Sequence, residues 1–189
     1  DRTIPELFAE LRELEGDRVI QVNHPRSDAF KGYFAYLARE PVSGESNLEM
    51  GTDFDAVEVN GSLGNWEQYT VEGWAGWAEK SDSTVPVLAD WFGMLNRGEP
   101  ICAVGNSDTH EVGDDAGYPR TYLRVIDDDP GALTDTEIIE AIARQHAVVS
   151  RGLVLELEVN GSLQMGHTQV VSESGDTPTA LHVTVRAPE

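Results

Sequence analysis

Residues 101–110, with the sequence ICAVGNSDTH, are the most informative part of this chain. Its first four residues are apolar and Gly105 follows them, a pattern that predicts a buried strand ending in a turn. Asp108 and His110 are two positions apart, so in an extended chain their side chains leave the same side of the backbone. A carboxylate and an imidazole that converge beyond a strand can form half of a divalent-metal site. An Asp-x-His triplet is common by chance, so its meaning depends on partners elsewhere in the chain.

Two further predicted strands upstream also end in polar residues. Residues 18–22 (RVIQV) and 54–59 (FDAVEV) are short stretches rich in apolar residues and followed by turn-forming residues, which is typical of strands. In parallel α/β layers, ligands bind beyond the carboxyl ends of the strands, so side chains that follow different strands can converge. The residues that follow the three predicted strands, and that we expect at a common site, are His24, Asn60, Asp108 and His110.

Helical segments separate these strands. Apolar residues recur at helical spacing in four segments, residues 4–15, 28–38, 83–96 and 134–145. The alternation of strands and helices up to residue 146 predicts a mostly parallel α/β layer. From residue 147 onward, short strand-like stretches surround a Gly/Ser/Thr-rich segment, which predicts a small antiparallel addition. We therefore expect an α/β domain over residues 1–150 and a β-rich C-terminal extension over residues 151–189.

The charge of the chain argues against some classes of partner. Its 189 residues include 13 basic and 34 acidic side chains, a formal net charge of −21. Such a surface repels phosphate backbones and anionic lipid headgroups, so we expect neither nucleic acid nor a membrane as a direct partner. No stretch approaches the roughly 18 apolar residues of a membrane-spanning helix. Cys102 is the only cysteine, which excludes an intrachain disulfide.

The order of motifs along the chain resembles that of a known enzyme family. The motifs are His24-Pro25, DAVEVNG at 55–61, Trp91 with LNRG at 95–98, GNSDTH at 105–110, Pro119-Arg120-Thr121 and AVVSRG at 147–152. In this order they are similar to the C-terminal half of a PHP (polymerase and histidinol phosphatase) domain. Within that superfamily they are most similar to the carbaryl-hydrolase-like metallohydrolases. The resemblance covers roughly residues 18–165.

The resemblance implies a fold and a set of metal ligands. The fold is a distorted (β/α)7 barrel, of which this chain would form the C-terminal part, with divalent zinc, manganese or iron ions at the carboxyl ends of the strands. His24 resembles the late metal-binding histidine of the family, and Asp108 and His110 resemble its final ligand pair. Glu58 has no ligand role in that pattern, and strand alternation allows it to face either the barrel lumen or the helices.

The resemblance also has a gap. The family's opening His-x-His and its other early ligands would lie upstream of His24, and residues 1–23 contain no histidine. Three ligands can hold one zinc-like ion with an open position, but they do not complete a multinuclear cluster. The chain is therefore expected to be an inactive fragment of a larger enzyme, and exposed strand edges where the missing half belongs favour self-association.

The implied activity is metal-dependent hydrolysis of a small-molecule phosphoester, ester or carbamate by a metal-activated hydroxide. Arg120 is the candidate for binding an anionic group through its planar fork of donors, and Asn60 is a second candidate substrate contact. Simpler interpretations stay open: His24, Asp108 and Asn60 as plain turn residues, and Arg120 as a surface or ion-paired arginine. The alternatives for the protein are a non-catalytic PHP-like binding or scaffolding module and, less favoured, a metal-dependent deacetylase.

Overall fold

A computed structural model describes residues 2–27, 32–60, 87–114, 116–127, 129–162, 164–168 and 179–187. The elements in these ranges are α1 (Ile4–Glu13), β1 (Gln21–Val22), α2 (Tyr33–Tyr36), β2 (Ala56–Asn60), α3 (Val87–Asn96), β3 (Cys102–Gly105), β4 (Arg120–Leu123), α4 (Asp135–Ala143), β5 (Ala147–Ser150), β6 (Val154–Val159) and β7 (Leu181–Arg186). Parts of the helices predicted over 28–38 and 83–96 lie outside the described residues.

A three-stranded parallel sheet in the order β1-β2-β3 carries the strands on which the predicted site depends. Val22 pairs with Val57, and Glu58 pairs with Val104, so β2 lies between the other two strands. Because all three strands run in the same direction, their carboxyl ends lie at one edge of the sheet. The segments that follow β1 and β3 therefore start side by side, with the end of β2 between them.

Helices α1 and α4 both begin at a capping box. Thr3 caps α1 with Glu6 at the third helical position, and Thr134 caps α4 with Glu137 in the same role. In each box the threonine oxygen and the glutamate side chain satisfy backbone N–H groups that the first turn leaves without partners. The described helices are short, and none of them combines the length and the apolar character that a membrane crossing requires.

An aromatic cluster forms the centre of the core beneath the sheet. The rings of Phe8, Tyr33 and Phe54 contact one another edge to face, with centroids 5.8–6.4 Å apart. Each such pair contributes about 0.5–1.5 kcal/mol beyond the burial of its area. Phe34 completes the cluster and is fully buried. The cluster joins α1 and α2 to the start of β2, which fixes the central strand of the site.

The remaining strands form two antiparallel pairs. Strand β4 pairs with β5, with Thr121 opposite Val149, and β6 pairs with β7 in a separate two-stranded sheet. The predicted parallel layer therefore ends at β3 rather than continuing to residue 146. The antiparallel addition at the end of the chain is present as the β6–β7 pair, while the boundary proposed near residue 151 stays a prediction.

The prediction that the chain forms the C-terminal part of a (β/α)7 barrel is wrong. The described residues form a mixed α/β structure with four short helices and three small sheets, and these sheets do not close on one another. A barrel needs tilted, staggered strands that are each paired on both sides. Here β1 and β3 are the outer strands of their sheet in the described part of the chain, and the next strands along the chain pair antiparallel.

Candidate metal centre

Two candidate ligands occupy the same unusual backbone conformation at neighbouring strand ends. His24 follows β1 with φ of 47°, and Asp108 follows β3 with φ of 50°. Non-glycine residues rarely adopt positive φ, but histidine, asparagine and aspartate do so several-fold more often than others. The conformation costs of order 1–3 kcal/mol and persists where surrounding contacts hold it, which is frequent at functional sites. Both turns thereby direct a histidine or a carboxylate across the end of β2.

The side chains of His24, Asp108 and His110 meet beyond the sheet. His24 Nε2 lies 3.7 Å from Asp108 Oδ2, and His110 Nε2 lies 2.6 Å from Asp108 Oδ1. The Asp108 carboxylate is thus between two imidazole rings. Its side chain is 20% exposed and that of His24 is 28% exposed, whereas the His110 side chain is 74% exposed. The group is therefore mostly buried at His24 and Asp108 and open to solvent at His110.

The donor types of this group suit zinc, manganese or iron, all of which accept imidazole and carboxylate ligands. Donors around one tetrahedral ion at about 2.0–2.1 Å lie about 3.3 Å apart. The separation of 3.7 Å between His24 and Asp108 is close to this spacing, while His110 is hydrogen-bonded to Asp108 instead. As the side chains stand, the described residues contain no group of three or more His, Cys, Asp or Glu arranged to hold an ion. Binding of one ion by all three residues therefore requires the exposed His110 ring to leave that hydrogen bond.

Glu58 supplies a fourth polar group, which sequence reasoning left without a role. It lies on β2 and is 3% exposed. Its Oε2 accepts the backbone N–H of His24 at 2.6 Å and lies 3.1 Å from His24 Nδ1. Its Oε1 is buried and has no hydrogen-bond partner among the described residues. The signal in the sequence was a single acid between Val57 and Val59, in a strand whose other central residues are apolar.

Comparisons with protein-family models, with curated proteins and with solved structures found no match to this chain. Its function therefore has to be inferred from the chemistry of its own residues. The pertinent feature is that polar groups from β1, β2 and β3 converge at one edge of the sheet. From the sequence, metal ligands were expected only in the segments that follow β1 and β3, and not in β2.

The loop that carries His110 is held by Asp114, a residue that the sequence did not single out. Asp114 Oδ2 accepts the backbone N–H groups of His110 at 2.8 Å and of Glu111 at 2.9 Å. These two hydrogen bonds lower the pKa of the Asp114 carboxyl below its usual range. Thr121 fixes the start of the loop, because its hydroxyl accepts from the Gly105 N–H at 2.9 Å and donates to the Gly105 carbonyl at 3.0 Å.

Arg120 and Asn60, the two residues predicted to contact substrate, lie in different surroundings. Arg120 Nε donates to the Gly117 carbonyl at 2.5 Å, and its guanidinium lies 4.4 Å from the centre of the Tyr118 ring. These contacts hold the arginine on its own turn rather than against the candidate ligands. The backbone of Asn60 ends β2 opposite Gly105, and its side chain lies outside the described residues. Substrate binding by either residue stays a prediction.

Proposed function

We propose that this chain carries a divalent-metal site of a metal-dependent hydrolase, with His24, Asp108 and His110 as the protein ligands. The single observation that carries the proposal is the meeting of these three side chains, from segments 84 residues apart, around one carboxylate. A bound divalent ion acts as a Lewis acid and acidifies a coordinated water, which is the chemistry that hydrolysis at neutral pH requires. The motif order that resembles the carbaryl-hydrolase-like group supports a phosphoester, ester or carbamate as the substrate.

The protein groups have separate tasks in this proposal. His24 presents Nε2 and Asp108 presents a carboxylate oxygen at nearly the spacing that a shared ion needs. Asp108 also supplies the negative charge that offsets the cation. The exposed His110 ring completes the donor set from the solvent side and leaves access for a small substrate. The half-buried Arg120 stays our candidate for binding an anionic group of that substrate, which requires its guanidinium to leave the contact with the Gly117 carbonyl.

The second candidate function is a non-catalytic binding or scaffolding module. One observation favours it: β6 and β7 present an apolar face of alternate residues, on which Leu157 pairs with Val183 and Val159 pairs with Leu181. Leu181 and Val183 are more than half exposed. A two-stranded sheet with an apolar face is only marginally stable without a covering partner. A binding module with no bound metal would account for this face without any hydrolytic site.

Metal content separates the two functions. The chain and its Asp108→Ala/His110→Ala double variant are purified in parallel, equilibrated with zinc, manganese or iron, passed through a desalting column and analysed by plasma mass spectrometry. Near-stoichiometric metal in the chain, lost in the double variant, is the expected result. Equal metal content in the two proteins would contradict the assignment of the ligands, and no metal in either would favour the binding module.

Hydrolysis is then screened with 4-nitrophenyl phosphate, bis(4-nitrophenyl) phosphate, 4-nitrophenyl acetate and an aryl carbamate. The screen uses the metal-loaded chain and the longest native protein that contains it. We expect turnover of one ester class, abolished by His110→Ala and unaffected by Glu111→Ala next to it. Turnover that survives His110→Ala would locate the activity elsewhere.

A further inference from the structure

We propose that Glu58 is a positioning residue that holds His24 in one tautomer and one orientation, with Nε2 presented to the metal. The inference rests on the proposed metal site and adds a residue to it. Glu58 is not in the set of ligands that the motif resemblance implies. Its role follows from where its carboxylate lies relative to the two nitrogens of the His24 ring.

The two ring nitrogens of His24 face different carboxylates. Nδ1 is 3.1 Å from Glu58 Oε2, inside the sheet edge, and Nε2 is 3.7 Å from Asp108 Oδ2, on the side of the candidate ligands. A neutral imidazole carries its proton on one nitrogen and accepts through the other. With the proton on Nδ1, beside Glu58, Nε2 is the nitrogen whose lone pair faces a cation bound next to Asp108. A carboxylate behind a ligand histidine is the usual device for fixing its tautomer and raising its basicity.

Glu58 would contact a metal ligand and not the metal itself, because the His24 ring separates it from Asp108. The same oxygen that faces Nδ1 also accepts the His24 backbone N–H at 2.6 Å. One carboxylate oxygen thus contacts both the main chain and the ring of a residue whose φ is 47°. These two contacts set the direction in which the ring leaves the strand end.

The burial of Glu58 argues against a purely structural role. A carboxylate that is 3% exposed is costly to desolvate, and apolar residues of similar size are often equally stable at such positions. Ala56, two residues earlier on the same face of β2, is fully buried, so an apolar side chain would suit this face of the strand. In addition, Oε1 has no hydrogen-bond partner in the part of the chain that the structure describes. A buried polar atom without a partner requires an explanation, and a functional role is one that fits a carboxylate beside a candidate ligand.

The test compares Glu58→Gln with the matched variant Glu111→Gln. Both remove one negative charge close to the ligands, but only Glu58 contacts His24. Zinc affinity is measured by competition with a chromogenic chelator, and we expect it to fall 10–100-fold in Glu58→Gln. Glu111→Gln is expected to bind within about two-fold of the unmodified chain, because it keeps the His24 contacts. Equal weakening in the two variants would attribute the effect to charge alone and overturn the inference.

A second measurement does not depend on how the variant folds. Two-dimensional ¹H–¹⁵N spectra of the His24 ring in the unmodified, metal-free chain, at a pH where the ring is neutral, report which nitrogen carries the proton. We expect the Nδ1–H tautomer, and we expect Glu58→Gln to shift the population toward Nε2–H. A dominant Nε2–H tautomer in the unmodified chain would overturn the inference directly.

The two measurements also separate this inference from the proposed function. If the unmodified chain binds none of the three metals, the proposed function fails and the metal role of Glu58 fails with it, while the tautomer still shows whether Glu58 orients His24. If the unmodified chain binds metal and Glu58→Gln binds it equally well, the proposed function stands and the positioning role is overturned.

Discussion

Arg26 and Asp90 form a buried ion pair with two parallel hydrogen bonds. Arg26 Nε and Nη2 donate to the two oxygens of Asp90 at 2.8 and 2.7 Å, and Arg39 Nη1 donates to Oδ1 at 2.8 Å. All three side chains are almost fully buried. One carboxylate thus balances two cations, and burial lowers the pKa of the Arg39 guanidinium below its usual value. Because Arg26 follows His24 by two residues, the pair connects α3 to the turn that carries a candidate ligand.

Replacing Asp90 by asparagine should strongly destabilise the chain. The substitution removes the charge of the one carboxylate that both buried guanidinium groups contact, and breaking a buried pair in this way costs about 3–5 kcal/mol. Urea denaturation followed by circular dichroism measures the loss in the free energy of unfolding. The matched control is Asp53→Asn, which breaks a pair with Arg12 in which Asp53 is 59% exposed. That control should cost no more than about 1 kcal/mol, and similar losses in the two variants would contradict the prediction.

Gly93→Ala should also destabilise the chain, although helix propensity alone points the other way. Gly93 lies in the middle of α3, where alanine is normally favoured over glycine by about 1 kcal/mol. A Cβ at this position would lie 1.9 Å from the carbonyl oxygen of Pro41. The Pro41 oxygen belongs to the backbone and cannot rotate out of the way, so α3 must move away from that segment. We expect the free energy of unfolding to fall by about 1–3 kcal/mol.

The same denaturation experiment tests this prediction. Gly113→Ala is the matched control, because no described residue beyond its chain neighbours comes within 4 Å of the added Cβ, and its φ lies outside the positive range. It should change the free energy of unfolding by less than about 0.5 kcal/mol. A Gly93→Ala variant more stable than the unmodified chain would contradict this close approach of Pro41 to α3.

Local patterns in the sequence were sufficient to locate most of the described elements. The apolar run before Gly105 is strand β3, and the capping pattern of Thr134 and Glu137 begins α4. Both signals act within a few residues, through strand burial and satisfaction of backbone N–H groups. The convergence of His24 with Asp108 could also be anticipated, since parallel strand ends share one edge.

Long-range pairing was beyond the sequence patterns. The apolar stretches at β4 and β5 are compatible with either parallel or antiparallel neighbours, because strand periodicity is the same in both. The inference of a barrel therefore rested on the motif resemblance, and the antiparallel pairing of Thr121 with Val149 overturns it. Glu58 was missed for a related reason: alternation gives two faces for its side chain but does not say which one lies beside His24.

The stability of the chain should fall at high pH because of Cys102. Its thiol is 1% exposed, and burial raises its pKa from 9.0 to about 11. The folded state therefore keeps the proton at a pH where the unfolded chain loses it. The resulting contribution is fully present below pH 9 and is lost as the pH rises to about 11, and two pKa units correspond to about 2–3 kcal/mol.

Cys102→Ala isolates this contribution from other groups that titrate in the same range. The free energy of unfolding is measured for both proteins at pH 8 and at pH 11. The difference between them should shift by about 2–3 kcal/mol in favour of the variant at the higher pH. Parallel pH profiles would show that the thiol is accessible enough to ionise in the folded state.

The variant Asp108→Gly should be more stable than the variant Asp108→Ala. Its φ of 50° is free of steric cost for glycine, whereas alanine pays about 1–2 kcal/mol in this region. Both substitutions remove the contacts of the carboxylate with His24 and His110, so the difference between them reports the backbone alone. In metal-free protein we expect Asp108→Gly to exceed Asp108→Ala by about 1 kcal/mol in the free energy of unfolding.

The neighbouring residue Thr109 gives the matched control, because its φ is not positive. There the order should reverse, with alanine more stable than glycine by about 0.5–1 kcal/mol. Both Asp108 variants should also lose the bound metal that the unmodified chain retains, since each lacks the carboxylate between the two imidazoles. Metal retained by Asp108→Gly would remove Asp108 from the ligand set, whereas a stable variant without metal would show that this turn keeps a strained aspartate for binding rather than for folding.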